Sequence, residues 1–399
     1  MAGDPEKGST GQEPAEEPVR DDPLPRYKRG PIDMPFFLLV VILLVIGVIT
    51  VLSASFARAY FKINNPTYFF IRQLIFAAVG IAAMLIVSRL PVRLFREYAH
   101  WLYVLAFVLL LLVPFIGITI NGAKRWLGVP GTSFTFQPSE IAKLALIIMY
   151  ARVGANNRKT IRKFSSGVLP YMLLIIPFAV LLVLENHVSA AAIMVVIAGI
   201  MMLAGGTSLP WLIGLAGAGV GAIGVYLYMS GYNASRFTGW SDPFADKLDS
   251  GWQIVQSLYA IGSGGLLGVG VGQSRQKYLY LPEEYNDYIF SIFCEEMGFV
   301  GAVLLLVLFA VLIARGFYLA MHARDSFGAM LITGITSLLA LQVIMNVAVV
   351  TNTIPSTGIS LPFFSYGGTA LLLQSAEIGI ILSVSRDIPL KQRERAEKK

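Results

Sequence analysis

The chain has 399 residues, 56% of them apolar and 14% charged, with a formal net charge of +7. A soluble chain carries about a quarter charged residues, and the single cysteine, Cys294, excludes an internal disulfide framework and a cysteine metal site. The positive balance does not mark a nucleic-acid partner, because Lys and Arg stand at the ends of long apolar runs rather than along one basic groove.

Residues 1–33, mostly Pro, Gly, Glu and Asp in their first part, are predicted as a disordered tail. No cleavable signal peptide is expected, since the first apolar run is too long for one. Ten spans follow: 34–56, 67–88, 98–118, 138–154, 168–185, 187–205, 209–229, 289–314, 326–350 and 367–385. A run of about 20 apolar residues crosses a ~30 Å hydrocarbon core as a helix. The predicted fold class is therefore all-α: a polytopic membrane domain over 34–386 with about ten transmembrane helices, then a basic tail over 387–399. Ten spans return both ends to one side. Within about 20 residues of the spans, the segments on that side hold 20 Lys and Arg against 8 on the other, which predicts cytoplasmic termini.

The opposite side owns one long loop, 230–288, between spans seven and eight. Loops of that length are uncommon and usually functional. Trp240, Trp252, Tyr259, Tyr278, Tyr280 and Tyr285 predict a structured loop with short helices at the membrane interface. A second outer segment, 351–366, holds Pro355, Gly358 and Pro362 and cannot be a regular helix. Irregular backbone at membrane depth must be buried in protein or line a wet cavity.

Four groups of residues carry candidate chemistry. Asp287, in Leu281-Pro282-Glu283-Glu284-Tyr285-Asn286-Asp287-Tyr288, is the last acid before span eight. An acid at such a mouth is either a helix-start residue favoured by the macrodipole or a partly desolvated general base. Lys124 and Arg125 precede Gln137-Pro138-Ser139-Glu140, and Glu140 with Lys143 share one helix face. Together with Arg72 in span two they are intramembrane charges, which read either as structural ion pairs or as a substrate or proton path. Glu185-Asn186-His187 occupies a tight outer turn, as a polar cap or a catalyst. His100, His187 and His322 match no metal-ligand spacing. The fourth group, the Gly-rich stretch 262–272, is not a nucleotide loop, because Leu267 stands where the last glycine of G-x-G-x-x-G is required. No Walker A sequence occurs, and the stretch reads as a tightly packed external turn.

Taken together, these stretches resemble the SEDS family (shape, elongation, division and sporulation), that of FtsW, RodA and SpoVE. The matching motifs are the segments 122–126 and 136–146; Asp242-Pro243-Phe244-Ala245-Asp246; Gly251-Trp252-Gln253-Ile254-Val255-Gln256; Gln276-Lys277; the stretch from Tyr280 to Phe290; Glu295-Glu296-Met297-Gly298; and Pro355-Ser356-Thr357-Gly358-Ile359-Ser360-Leu361-Pro362 with its continuation to Gly368. The likeness spans about residues 35 to 386. It implies a ten-helix fold and a glycosyltransferase that joins lipid II units into glycan strands. The family's essential acid falls on Asp287, and its other functional polar positions fall on Arg72, Arg125, Glu140, Lys143, Gln256 and Ser365. Glu283 lies in the same motif as Asp287. One departure stands out: after Glu185 the family often carries Pro-Asp, where this chain has Asn186 and His187. The segments around Trp252, Gln276 and Phe363 resemble the division and sporulation members more than the elongation type, with FtsW the nearest likeness.

The resemblance implies the outer face of a bacterial cytoplasmic membrane as the place of work. Lipid II is an undecaprenyl-diphosphate-linked disaccharide peptide. Arg125, Arg236 and Lys277, with Lys124 beside them, are expected to hold its diphosphate by charge-assisted hydrogen bonds. No cofactor is required, although a divalent cation, Mg or Mn, could accompany the diphosphate. Expected partners are lipid II, a class B penicillin-binding transpeptidase, other divisome proteins and membrane lipid. A lipid II flippase, a non-catalytic scaffold for the transpeptidase, and an elongation- or spore-type polymerase are the alternatives.

Overall fold

The computed structural model describes residues 29–120, 123–128, 135–157, 161–230, 239–245 and 251–388. Helix α1, Met34–Ile63, opens on Asp33, whose carboxylate accepts the Phe36 N–H, and closes on Asn64 in the left-handed region at φ 55°. An acid at the cap and a proline in the first turn suit a helix start, because the first N–H groups lack helical partners. Then come α2 (Tyr68–Arg89), the short α3 (Val92–Glu97) and α4 (Ala99–Ile116). Strands β1 (Ile118–Ile120), β2 (Ala123–Gly128) and β3 (Thr135–Phe136) form a small antiparallel meander. Helix α5, Pro138–Asn156, starts on its proline. A π-helical turn, Phe164–Val168, leads into α6 (Leu169–Leu184), followed by α7 (Val188–Gly205) and α8 (Leu209–Ser230). Beyond the long loop segment lie α9 (Trp252–Ser263), α10 (Ile289–Met321), α11 (Ser326–Val350) and α12 (Gly368–Ser385).

Each of the ten predicted spans coincides with one helix. Among the described residues, seven helices are long and apolar enough to cross a membrane: α1, α2, α4, α7, α10, α11 and α12. Helix α6 is apolar but shorter. The expected polytopic helical membrane protein is what the chain forms. Two details depart from the sequence reading. The connection between α4 and α5 is a β-meander within a fold predicted as all-α: Ile118, Thr119 and Ile120 pair with residues 123–126. The folded body also takes in residues ahead of the first predicted span. Arg29 pairs with Asp387 at 2.8 Å and donates to the carbonyls of Arg89 and Leu90, so residues 29–33 and Asp387 belong to the folded body and not to tails.

These ties sit with two more. Arg315 pairs with Asp33 at 2.7 Å, and Arg386 donates to the Gly30 carbonyl. The start of α1, the ends of α2 and α12 and the far part of α10 therefore meet on one face of the bundle. Helix α11 is the central element: it packs on α10, α5, α7 and α12.

The opposite face carries the loop. Its described parts are fixed by side chains: Trp240 and Asn352 exchange hydrogen bonds with each other's carbonyls, and Trp252 donates to the Tyr280 carbonyl at 2.9 Å. The expectation of a structured, aromatic-anchored loop holds for these parts. Helix α10 is broken at Gly298, where φ is 67° and ψ −172°. The Gly-rich stretch closes that break. Val269 and Gly270 donate to the carbonyls of Glu295 and Glu296, while Phe299 and Val300 donate to those of Gly265 and Leu266. A Cβ at Gly268 would lie 2.1 Å from the Glu296 carbonyl oxygen, and one at Gly298 would lie 2.2 Å from the Gly268 nitrogen. Close backbone packing was the reading from sequence; its counterpart is a broken membrane helix rather than the loop's own turn. Residues 351–367 contain no helix, as expected. They dip into the bundle until the Phe363 carbonyl touches α1 at Gly47.

Candidate active site

Asp287 ends the loop one residue before the N-cap of α10, Tyr288. Three neighbours fix it. Asn346 of α11 donates from its side-chain amide to the carbonyls of both Asp287 and Ile359, each at 2.8 Å. Ser365 donates to the Asn286 carbonyl at 2.8 Å and accepts the Leu361 N–H. The Asp287 carboxylate itself lies over Gly358, so close that a Cβ there would come within 3.3 Å of Oδ2. The loop before α10 and the irregular segment 351–367 are thus stitched together around the acid. The serine oxygen is fully used by backbone, which makes Ser365 a positioning residue.

A clamp stands behind this loop. Arg58, near the end of α1, meets Glu284 with two parallel hydrogen bonds of 2.7 Å, and Glu284 is fully buried. Bidentate Arg–carboxylate contacts fix orientation as well as charge. Burial pushes the Glu284 carboxyl up from its ordinary range, against the pull of Arg58. Arg58 also lies over the Tyr285 ring, and the Tyr285 carbonyl accepts the Tyr366 N–H. Arg72 stacks over Tyr68 at 4.4 Å and reaches the Tyr366 hydroxyl. Glu283 accepts from Asn286 at 2.6 Å. Arg72, Glu283, Ser365 and Asp287 therefore belong to one neighbourhood.

The second half of the site surrounds the turn between α6 and α7. Arg125 on β2 donates to the Asn186 carbonyl, and Gln137, next to Pro138, touches the His187 ring at 3.4 Å. Burial lifts the Glu185 carboxyl to about 8, with Arg125 opposing. Burial, then Arg125 and Lys143, lower His187 to about 3. At neutral pH this turn therefore offers a carboxyl that holds its proton and an uncharged imidazole. Lys143 and Glu140 form the expected i,i+3 pair at 2.7 Å, with Lys143 deeply buried. Lys124 donates to the Pro114 carbonyl at 2.6 Å and lines a cleft of about 340 Å³ with Glu185 and Asn186. The two halves join through Ser189, which donates to the carbonyl of Thr357, the neighbour of Gly358. Two buried atoms around this junction, Glu185 Oε1 and Thr357 Oγ1, receive no hydrogen bond from the described residues. Buried polar atoms are normally satisfied, so these two are open to a polar contact from water or a ligand.

Two expected residues are placed elsewhere. Lys277 is 2% exposed and its ammonium binds Glu296 at 3.1 Å and Ser53 at 3.2 Å. This corrects the diphosphate role assigned to it: a buried ammonium needs a counter-charge, and Glu296 supplies it. Gln256 is buried in α9, on the side facing α10 and α11. Arg236 lies outside the described residues. Asn346, Gln73, which donates to the Ser365 carbonyl, and the Arg58–Glu284 clamp were missed from sequence. An Asn in an otherwise apolar run was the one available signal.

Comparisons with known proteins identify the family. The family model described as a cell cycle protein, for FtsW, RodA and SpoVE, matches residues 34–389. Stage V sporulation protein E of Bacillus subtilis is 40% identical over 357 residues, 89% of this chain and 97% of that one. A probable peptidoglycan glycosyltransferase FtsW of Geobacter is 39% identical over 355 residues, covering 88% and 96%. Among solved structures, a peptidoglycan synthase complex described as coordinating polymerization and crosslinking superposes with a TM-score of 0.73 at 27% identity, covering 90% and 99%. Thermus thermophilus RodA, a rod shape determining protein, gives 0.67 at 27% identity over 90% and 97%. The chain is a member of the FtsW, RodA and SpoVE family of cell cycle proteins.

Proposed function

We propose that this protein is a peptidoglycan glycosyltransferase that polymerises lipid II for septal wall synthesis, with Asp287 as the general base. The observation that carries the assignment of the base is the framing of Asp287 by Asn346, Ser365 and Gly358 at the end of the bundle opposite the chain termini. Asp287 takes the proton of the acceptor sugar's 4-hydroxyl. The oxygen then bonds to the anomeric carbon of the growing chain, the bond from that carbon to the diphosphate breaks, and polyprenyl diphosphate leaves with the electron pair. Diphosphate is a good leaving group, so no second carboxyl is needed as acid. Arg125 and Lys124, which lies at the rim of the cleft, hold the diphosphate, and Arg72 acts from the Asp287 side of the site. Glu140 and Lys143 form the buried floor. Among the described residues no three His, Cys, Asp or Glu side chains converge on a metal position. A Mg or Mn ion accompanying the diphosphate would help neutralise its charge.

The membrane orientation belongs to the same reading: termini in the cytoplasm, and Asp287 at the outer face, where lipid II presents its sugars. The partner is a class B penicillin-binding transpeptidase within the divisome, which crosslinks the strand as it emerges; holding it nearby raises its effective concentration to about the millimolar range. The 40% identity to the Bacillus sporulation protein favours a spore-cortex role as the second reading. The deciding experiment is polymerisation of labelled lipid II by purified protein in detergent, with no second compartment. Asp287→Asn is expected to fall by about 10²–10⁴-fold while its thermal unfolding is unchanged. Polymer at the wild-type rate from the folded variant would refute the base, and no polymer from wild type alone or with its transpeptidase would favour a flippase or scaffold.

A further inference from the structure

The Gly-rich stretch that closes the α10 break has an outer side that the active site does not use. Leu266 is 72% exposed, Leu267 80%, Val269 44% and Val271 60%. Residues 251–274 contain no charged side chain. Four adjacent exposed aliphatic side chains without a charge are unusual on a watery surface, where large apolar patches mark a contact.

Depth says what the contact is. The Asp33–Arg315 pair marks the terminal face of the bundle on both α1 and α10. At 1.5 Å per helical residue, Gly298 lies about 25 Å along α10 from Arg315, and Ser53 about 30 Å along α1 from Asp33. Ser53 donates to Glu296 at 2.6 Å, so both routes lead to one level. That level falls within the ~30 Å thickness of a hydrocarbon core. The Arg58–Glu284 clamp lies about one and a half helical turns further out along α1. The patch is also continuous with a membrane-spanning surface, for Phe299, Val300, Val303 and Leu304 of α10 are exposed where the loop is stitched on.

Backbone chemistry permits such a placement. An irregular segment survives at membrane depth only when its N–H and C=O groups are satisfied by protein. The four hydrogen bonds across the Gly298 break do this for loop and helix at once. Behind them, Glu295 accepts the Arg275 N–H at 2.9 Å and the Ser274 hydroxyl, and the Lys277–Glu296 pair fastens the return to α1.

We propose that residues 264–272 form a shallow membrane-docking hairpin, with Leu266, Leu267, Val269 and Val271 seated among the acyl chains of the leaflet at the Asp287 end. The proposal rests on the membrane-spanning fold and not on the glycosyl-transfer reading.

The test uses the full chain in lipid nanodiscs. Spin labels are placed singly at Leu267→Cys and Val271→Cys, in a Cys294→Ala background that leaves one thiol. Collision with oxygen, which concentrates in lipid, is compared with collision with a water-soluble nickel chelate. Leu304→Cys on α10 is the lipid control and Asn65→Cys, beyond the end of α1, the water control. The oxygen-to-nickel ratio is expected above one at positions 267, 271 and 304 and below one at 65. A ratio below one at both 267 and 271 would overturn the proposal by putting the hairpin in water. Exclusion of both agents would overturn it as well, by showing that a second copy of the chain or another protein covers the patch.

Discussion

Arg58 and Glu284 are separated by 226 positions in the chain yet share two hydrogen bonds, the carboxylate fully buried and the guanidinium partly exposed. Removing one partner of a buried pair strands the other charge, at a cost of about 3–5 kcal/mol. Arg58→Ala is therefore expected to lower stability by about that much, read from unfolding in detergent. Arg58→Met combined with Glu284→Met should recover most of the loss, because an apolar pair of similar volume strands nothing. If the double variant were as weak as the single, packing by Arg58 rather than charge would be what matters. Glu185 makes a different demand. Its carboxyl titrates near 8 in the fold against an ordinary 4.5. Its stabilising share is thus full below the ordinary value and lost as pH rises through the folded one. Between about pH 5 and about pH 9, the wild type should lose more stability than Glu185→Gln; equal slopes would show that Glu185 is ionised throughout. Such pairings were out of reach of the sequence. Position along the chain marks Asp287 as an acid at a helix mouth, but nothing local distinguishes a lysine on phosphate from one on a buried glutamate. Lys277 was misplaced for that reason, while Glu140 and Lys143, one turn apart on one helix, were legible as a pair.

At the scale of elements, the break in α10 is the least conventional feature. Gly268 has φ +82°, and a Cβ there would meet the Glu296 carbonyl oxygen. Gly268→Ala adds backbone strain of about 1–3 kcal/mol to that collision, and should reduce both thermal stability and polymer yield. Gly262→Ala is the control: it lies in α9 with open space around it, so alanine should be neutral or mildly stabilising. Equal damage from both would mean that the loop is sensitive everywhere and not at the stitch. The helices themselves were legible because runs of about 20 apolar residues have few alternatives. The β-meander was not, since its strands are as short as two residues and their partners are supplied by each other rather than by a periodic pattern. The irregular course of 351–367 was readable from its Pro and Gly content, but its descent to Gly47 was not, because that contact joins positions over 300 apart.

For the whole molecule, orientation is the statement to test. A cysteine at Asn65 lies at the Asp287 end and one at Ser165 at the terminal end, both exposed. In the Cys294→Ala background, an impermeant thiol reagent on intact cells should label position 65 and spare 165. The reverse pattern would put Asp287 in the cytoplasm and remove it from lipid II polymerisation at the outer face. The terminal end is riveted by ionic contacts from α1, α10 and α12, whereas the Asp287 end is closed by loops. Between them, the first part of α10, residues 289–297, is set off from the rest of its helix by the break at Gly298 and held in place by Ser53, Ser274 and Lys277. It is a rod about 13 Å long, with the glycine break as its fulcrum and Asp287 just beyond its other end, where Asn346 and Ser365 hold the chain. A tilt of about 5° at the fulcrum swings that end by about 1 Å, and a misplacement of that size is worth about 10²-fold in rate. On the proposed reading of Asp287 as the base, Gly298→Ala should therefore slow polymerisation from a distance, without altering any group that meets the substrate.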